Sequence, residues 1–293
     1  VTLLFWLGVA LGALVVMVIG LRVIGGVRWA QLVRAQLSVL ESGRVDATGR
    51  RPSPARFDAR ELEGLPAPVQ RYFGAVLVNG QPIIAAAQIE MIGTINLSAT
   101  AEQWKPFTSS QRVVTRRPGF LWNAQVAMFP GVPAQVEDSY IAGQGRLRAK
   151  LFGLFAVANL HGGGEIARGE LMRYFAEAAW YPTALLPSQG VRWEAVDDAS
   201  ARATIVDGPI TLSLLIGFND AGLIASLHAE SRGASMGKDG VMVMLPWDCG
   251  WSDYRLQDGM LVPMVGQVAW MRPEGRKAYF IGQVKKLRYE FLP

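Results

Sequence analysis

Two glycine-rich stretches of this chain carry the residue types of an acyl-transfer site. His161-Gly162-Gly163-Gly164 could present backbone N–H groups as an oxyanion hole. Gly233-Ala234-Ser235-Met236-Gly237 satisfies G-x-S-x-G, in which a sharp strand-to-helix turn exposes the serine. That chemistry needs a general base, and in this chain order a histidine must follow the serine. Both histidines of the chain, His161 and His228, precede Ser235. A serine without a base is no better a nucleophile than any surface hydroxyl. Nor does Ser235 open a helix, because Lys238-Asp239-Gly240 reads as a turn. With 32 glycines among 293 residues, chance loops explain both matches. A serine esterase is the least favoured reading.

The remaining candidates are weaker. His228 shares a strand face with Ser226 and Glu230 and reads as a solvated histidine. Cys249 has the parity of Trp247 and Trp251, which makes it a buried, inert thiol. Asp197-Asp198 could be a carboxylate pair for acid–base work, but turn formation accounts for both. Gly143-Gln144-Gly145 lacks the third glycine of a dinucleotide site. One cysteine and two histidines argue against a thiolate cluster or a histidine-rich centre. The reading is a non-enzymatic chain with no metal site and no cofactor.

The elements that would position any site begin with an apolar run. Val1 to Leu21 carry no charge, and such a helix is about 31 Å long, matching a hydrocarbon core of about 30 Å. The run exceeds the apolar stretch of a signal peptide, so residues 1–21 are expected to be an uncut transmembrane anchor. Residues 22–60 form a basic juxtamembrane helix and linker, with eight arginines against three acids. That excess of five is the whole net charge, because the remainder holds 21 basic and 21 acidic residues. A neutral body has no footprint for nucleic acid. Arg22 to Arg60 are expected to meet anionic lipid headgroups instead. The positive-inside rule then favours the cytoplasmic side for the body of the chain, with the periplasmic side left open.

Residues 61–293 read as one antiparallel β domain. Phe120, Trp122, Ala124, Val126 and Met128 alternate with Leu121, Asn123, Gln125 and Ala127. Ile210, Leu212, Leu214, Ile216 and Phe218 make the longest dry face. Turn pairs such as Asp207-Gly208 and Asp258-Gly259 fall where strands must end. The expected fold is mainly β: a curved, half-barrel-like antiparallel sheet of about ten or eleven strands, with helices near 66–77 and 166–186. If the sheet encloses a cavity, its lining should come from Trp122, Val126, Trp193, Leu212, Leu214 and Trp270. Tyr174, Phe175 and Trp180 would close it from the helix. Arg173 is the residue placed to meet an anionic headgroup, unless Glu170 and Glu177 engage it first.

Three segments carry a resemblance. GELMRYFAEAAWYPTALLPSQGVRWEAVDD, LPAPVQRYFGAVL and WSDYRLQDGMLVPMVGQVAW resemble a bacterial family of unknown function, from about Leu65 to Phe291. The resemblance implies an N-terminal membrane anchor and brings no known activity with it. The Asp253-Tyr254-Arg255, Asp258-Gly259 and Pro263 hairpin also resembles the last strands of Lol-type lipoprotein carriers, half-barrels that hold acyl chains. That second likeness implies a cavity. The resulting expectation is a membrane-anchored domain that binds a lipid or other apolar ligand. The alternative is an interaction or scaffold domain that docks on a membrane-protein partner.

Overall fold

The computed structural model, which describes residues 2–45, 54–98, 101–236 and 241–292, turns the period-two stretches into strands of one sheet. In chain order they are β1 (Ile84–Asn96), β2 (Trp104–Val114), β3 (Gly119–Phe129), β4 (Val132–Ile141), β5 (Gln144–Leu151) and β6 (Phe155–Gly162). After a helical insertion come β7 (Arg192–Asp197), β8 (Ser200–Asp207), β9 (Ile210–Phe218), β10 (Ile224–Met236), β11 (Val241–Gln257), β12 (Met260–Arg272) and β13 (Gly275–Phe291). The sheet order is β6-β5-β4-β3-β2-β1-β13-β12-β11-β10-β9-β8-β7. It is curved, antiparallel and open, with its first and last strands paired at the centre, Ile84 opposite Phe291.

Thirteen strands among the described residues correct the expected ten or eleven. The excess lies where alternation carries no signal. At the sheet edge, β6 exposes both Phe155 and Val157 and has no dry face.

Among the described residues three α-helices accompany the sheet. α1 (Thr2–Val45) is one unbroken helix, long and apolar enough in its first half to cross a membrane. The helix expected at the start of residues 22–60 runs on through Glu41 to Val45, its last turn, and residues 46–53 lie outside the described residues. α2 (Ala67–Val76) begins just after Pro66 and buries Val69, Tyr72, Phe73 and Val76. α3 (Gly164–Ala176) crosses the concave face. The helix expected over 166–186 ends ten residues early, in 3-10 turns at Glu177–Trp180, Pro182–Leu185 and Pro187–Gln189. Pro182 is the cause, because it disfavours α geometry at Tyr181, which has φ −137° and ψ 66°.

The second half of α1 lies on the convex face. Trp29, Val33 and Leu40 pack on Ala86, Val114 and Leu121, which explains why β3 is buried on both sides. Trp29 Nε1 donates to Asn123 Oδ1 at 2.9 Å, and Arg112 Nε donates to Glu41 Oε1 at 2.6 Å. Gly25 is required at the seat, since a Cβ there would stand 1.8 Å from the Phe152 carbonyl oxygen. α1 therefore runs from the β5–β6 turn at Gly25 to the β2–β3 end of the sheet at Leu40 and Glu41. Its exposed apolar half projects past the rim formed by the β3–β4 and β5–β6 turns, called here the α1 rim. Antiparallel pairing puts the last residues of β1, β10 and β12 and the first of β11 and β13 at this same rim.

Candidate binding cavity

The concave face is filled at one side and hollow at the other. Over β7–β9 it is covered by α2 and the 3-10 turns: Tyr72 packs on Phe218 at 5.7 Å and Phe73 meets the Trp193 ring edge-on at 6.1 Å. Leu212 and Leu214 are fully buried there, and Trp193 Nε1 donates to the Leu185 carbonyl at 3.0 Å. Between α3 and strands β3–β6 and β10–β13 lies a cavity of about 280 Å³. That is near the small end of pockets that take small ligands, which run from about 300 Å³.

Of the ten residues expected to line a cavity, Trp122, Arg173, Trp180 and Trp270 are in its wall. Val126, Trp193, Leu212, Leu214, Tyr174 and Phe175 are not; they belong to the packed core. The reason is the way α3 is turned. Its apolar stripe, with Leu171, Tyr174 and Phe175, presses into the core, and Tyr181 Oη donates to the Tyr174 carbonyl at 2.5 Å. Its other stripe, Ile166, Glu170, Arg173 and Glu177, faces the cavity.

Arg173 is fully engaged. It pairs with Asp138, donates through Nε to Glu177 Oε1 at 2.8 Å, and lies 5.0 Å over the Phe120 ring and 4.9 Å over Trp122. Burial works against its charge, but Glu177, Asp138 and Glu170 outweigh it and raise its pKa. Glu170, fully buried, goes the other way. Desolvation pushes its pKa well above the carboxylate range, and the negative Asp138 adds to the shift against the pull of Arg232 and Arg173. Glu170 Oε2 and Asp138 Oδ1 are buried with no hydrogen-bond partner among the described residues.

Arg232 is the residue that sequence reasoning missed. Simple alternation from Leu227 and Ala229 would turn Ser231 inward and Arg232 outward. However, β10 gains one residue over β11 between Ala229, opposite Trp247, and Arg232, opposite Leu245. This bulge flips the parity and turns Arg232 into the cavity. Its guanidinium lies 4.5 Å over Trp247 and 5.7 Å from the Trp270 ring, and Nη1 donates to Tyr279 Oη at 3.3 Å. Among the described residues Nε finds no acceptor and Nη2 makes no hydrogen bond. Nε with Nη2 is the fork by which Arg255 grips Asp253 elsewhere in the chain, at 3.2 and 2.8 Å. Burial opposes the Arg232 charge, yet Tyr279, Glu170 and Asp138 outweigh it and keep it protonated. Trp122 Nε1 and Trp251 Nε1, in the same wall, also lack partners.

Cys249 is buried in the cavity wall, and burial pushes its thiol pKa far up. His228 Nδ1 lies 2.6 Å from Asp248 Oδ1, half-exposed. Ser235 is inside β10 opposite Met242 rather than on a strand-to-helix turn, and Gly237 lies outside the described residues. His161 is exposed on β6, and the glycines after it lead into α3.

A raised carboxyl pKa makes stability depend on pH with a definite sign. The contribution is complete below the unfolded-state pKa and is lost as pH rises through the folded one. From about pH 4.5 upward Glu170 should thus destabilise the fold, by at most about 1.4 kcal/mol per pH unit. Urea midpoints between pH 5 and 8 are expected to fall less steeply in Glu170→Gln than in the parent, since glutamine does not titrate. Glu137, also raised by burial, leaves a residual slope of the same sign. Equal slopes in the two proteins would contradict the assignment.

Comparison with known proteins adds a family. The profile described as "Family of unknown function (DUF6920)" matches residues 63–289. No curated protein matches the chain. Among solved structures it is similar to a LolA superfamily protein from Nitrosomonas europaea, at 10% identity and a TM-score of 0.39, covering 71% of this chain and 87% of that one. It is also similar to a β-barrel-like protein of the domain of unknown function DUF1849 from Brucella abortus, at 12% identity and a TM-score of 0.21, covering 74% of this chain and all of that one.

Proposed function

The chain belongs to this family of unknown function, and from the site itself we propose that the sheet domain binds one amphiphile in the cavity, its anionic head on Arg232. The observation that carries the reading is a buried arginine whose Nε–Nη2 fork has no carboxylate, in a wall that combines Trp122, Trp180, Trp251 and Trp270 with the Arg173, Asp138, Glu170 and Glu177 cluster. A buried guanidinium with an unpaired fork is costly, and a carboxylate or phosphate head would offset that cost bidentately. The indole N–H groups of Trp122 and Trp251 suit ester or acyl carbonyl oxygens. All three N–H groups are closed over by neighbours, so small rotations of the side chains accompany binding. The apolar part of the ligand would be held by burial, at about 0.8 kcal/mol per CH₂.

In this reading the domain is not an enzyme. α1 is its membrane anchor: the helix continues unbroken through Arg22 and is seated on the sheet from Gly25 onward, as an uncut span would be. The arginines after the span orient the domain to the cytoplasmic side. An interaction domain without a ligand would leave the free fork of Arg232 unexplained. Native mass spectrometry of the full chain, released from a mild detergent, tests the proposal. One bound amphiphile per chain is expected, either carried through purification or acquired from added palmitate. A chain that stays bare with palmitate and with lysophosphatidylglycerol would overturn it.

A further inference from the structure

We infer that the α1 rim rests on the bilayer surface, with the Phe129 and Phe155 hairpins in the headgroup layer, so that the cavity meets lipid directly. The inference rests on α1 being the membrane span and adds where the sheet sits relative to it. α1 has no break at which the domain could swing away. Its uncharged run ends at Leu21, and Gly25 is already in contact with Phe152 of the β5–β6 turn. Four residues of helix are about 6 Å, so the membrane boundary falls within roughly one turn of that hairpin. The Arg22 guanidinium lies beside Gly131, in the β3–β4 turn.

The chemistry of this rim fits a lipid surface. Phe129 is 67% exposed, Phe155 56% and Val157 63%, all on the two hairpins nearest the span. Lys105 stands 5.6 Å over the Phe129 ring. Lys150, Arg276 and Lys277 lie at the same rim, against the acids Glu102 and Glu274. Exposed aromatic tips backed by cations are the composition of a membrane-interface surface. The opposite rim holds Asp197, Asp198, Asp220 and Asp258 in its turns, with Arg116 and Arg117 in the β2–β3 turn.

The cavity reaches the α1 rim. Ile95, Ala234, Met242 and Trp270 are in its wall, and each is within two residues of a strand end there. A ligand would then pass between bilayer and cavity without crossing bulk water. The same placement narrows the headgroup contacts expected of Arg22 to Arg60. Arg56 Nη1 donates to the Gly80 carbonyl at 2.9 Å and Arg60 pairs with Asp58, both at the far rim. Arg22 and the hairpin cations take that role instead.

The test uses the full chain in nanodiscs of phosphatidylcholine and phosphatidylglycerol. A bimane label is placed by Phe129→Cys, Phe155→Cys, Leu256→Cys or Val15→Cys, and lipids spin-labelled near the headgroup act as quencher. Cys249, buried with its thiol held protonated, stays unlabelled. The Phe129 and Phe155 positions are expected to be quenched at least about twofold more than Leu256, which is exposed at the far rim. If they match Leu256 while Val15 is quenched, the span holds and the rim inference is overturned. If Val15 also escapes quenching, the anchor reading fails and takes this inference with it.

Discussion

Replacing Arg173 with methionine should lower the unfolding free energy by about 3–5 kcal/mol, the usual cost of breaking a buried ion pair by removing one partner. Two carboxylates depend on this side chain, Asp138 and Glu177, each only 12% exposed. Gln111 also loses a bond of 3.4 Å to Nη2, and the Phe120 and Trp122 rings lose the cation that covers them. Methionine restores volume but returns no donor, so the carboxylates must take up protons or water. Arg173→Lys should recover only part of the loss, because an ammonium cannot bridge Asp138, Glu177 and Gln111 with one planar fork. Equilibrium urea unfolding at pH 7 measures both variants. A loss below about 1 kcal/mol in the methionine variant would contradict the role given to Arg173.

The same substitution at Arg232 should behave in the opposite way. Arg232→Met strands no carboxylate ion pair, and Tyr279 Oη keeps its bond from Trp247 Nε1 at 3.0 Å. The lost stacking on Trp247 and Trp270 costs about 2 kcal/mol in this buried setting, while removing a buried cation relieves a desolvation cost of comparable size. Stability should therefore change by less than about 1 kcal/mol in either direction. Palmitate binding should weaken about 10- to 100-fold, the equivalent of a charge-assisted hydrogen bond worth about 1.5–3 kcal/mol. Unchanged affinity in a folded variant would move the ligand's head away from Arg232. The two buried arginines, 59 positions apart, thus separate a structural cation from one held for a ligand.

The contrast marks what could be read from residues alone. Alternation from Ile210 to Phe218 was enough to place a half-buried strand, and the Phe120–Met128 run placed another. Two faces were misjudged for physical reasons. Leu121 has the parity of a wet residue, but α1 covers it, because Trp29, Val33 and Leu40 form an apolar stripe whose partner lies about 90 residues away. β6 shows only a weak period because the face with Phe155 and Val157 is exposed and the face with Ala158 and Leu160 is only half-buried.

The site was legible only in part, since a cavity depends on what fails to fill a face. Leu212, Leu214 and Trp193 make as dry a surface as Trp122 and Trp270, yet α2 and the turns after Pro182 fill the former. Of the two partners expected for Arg173 by helical spacing, Glu177 pairs with it and Glu170 does not; Asp138, on a strand 35 positions away, takes the second place. Arg232 was hidden by one extra residue in β10, and nothing in Glu230-Ser231-Arg232 announces a bulge.

The central claim is that the cavity takes an apolar chain with an acceptor at its head. Competitive titration of the full chain with palmitate and with hexadecylamine, which share chain length and carry opposite heads, tests it most directly. Arg232 offers donors, while Asp138 and Glu177 are already paired with Arg173 and burial holds Glu170 toward its neutral form. The carboxylate should bind at least about tenfold more tightly, a difference of about 1.4 kcal/mol. Equal affinities, or tighter binding of the amine, would contradict the account.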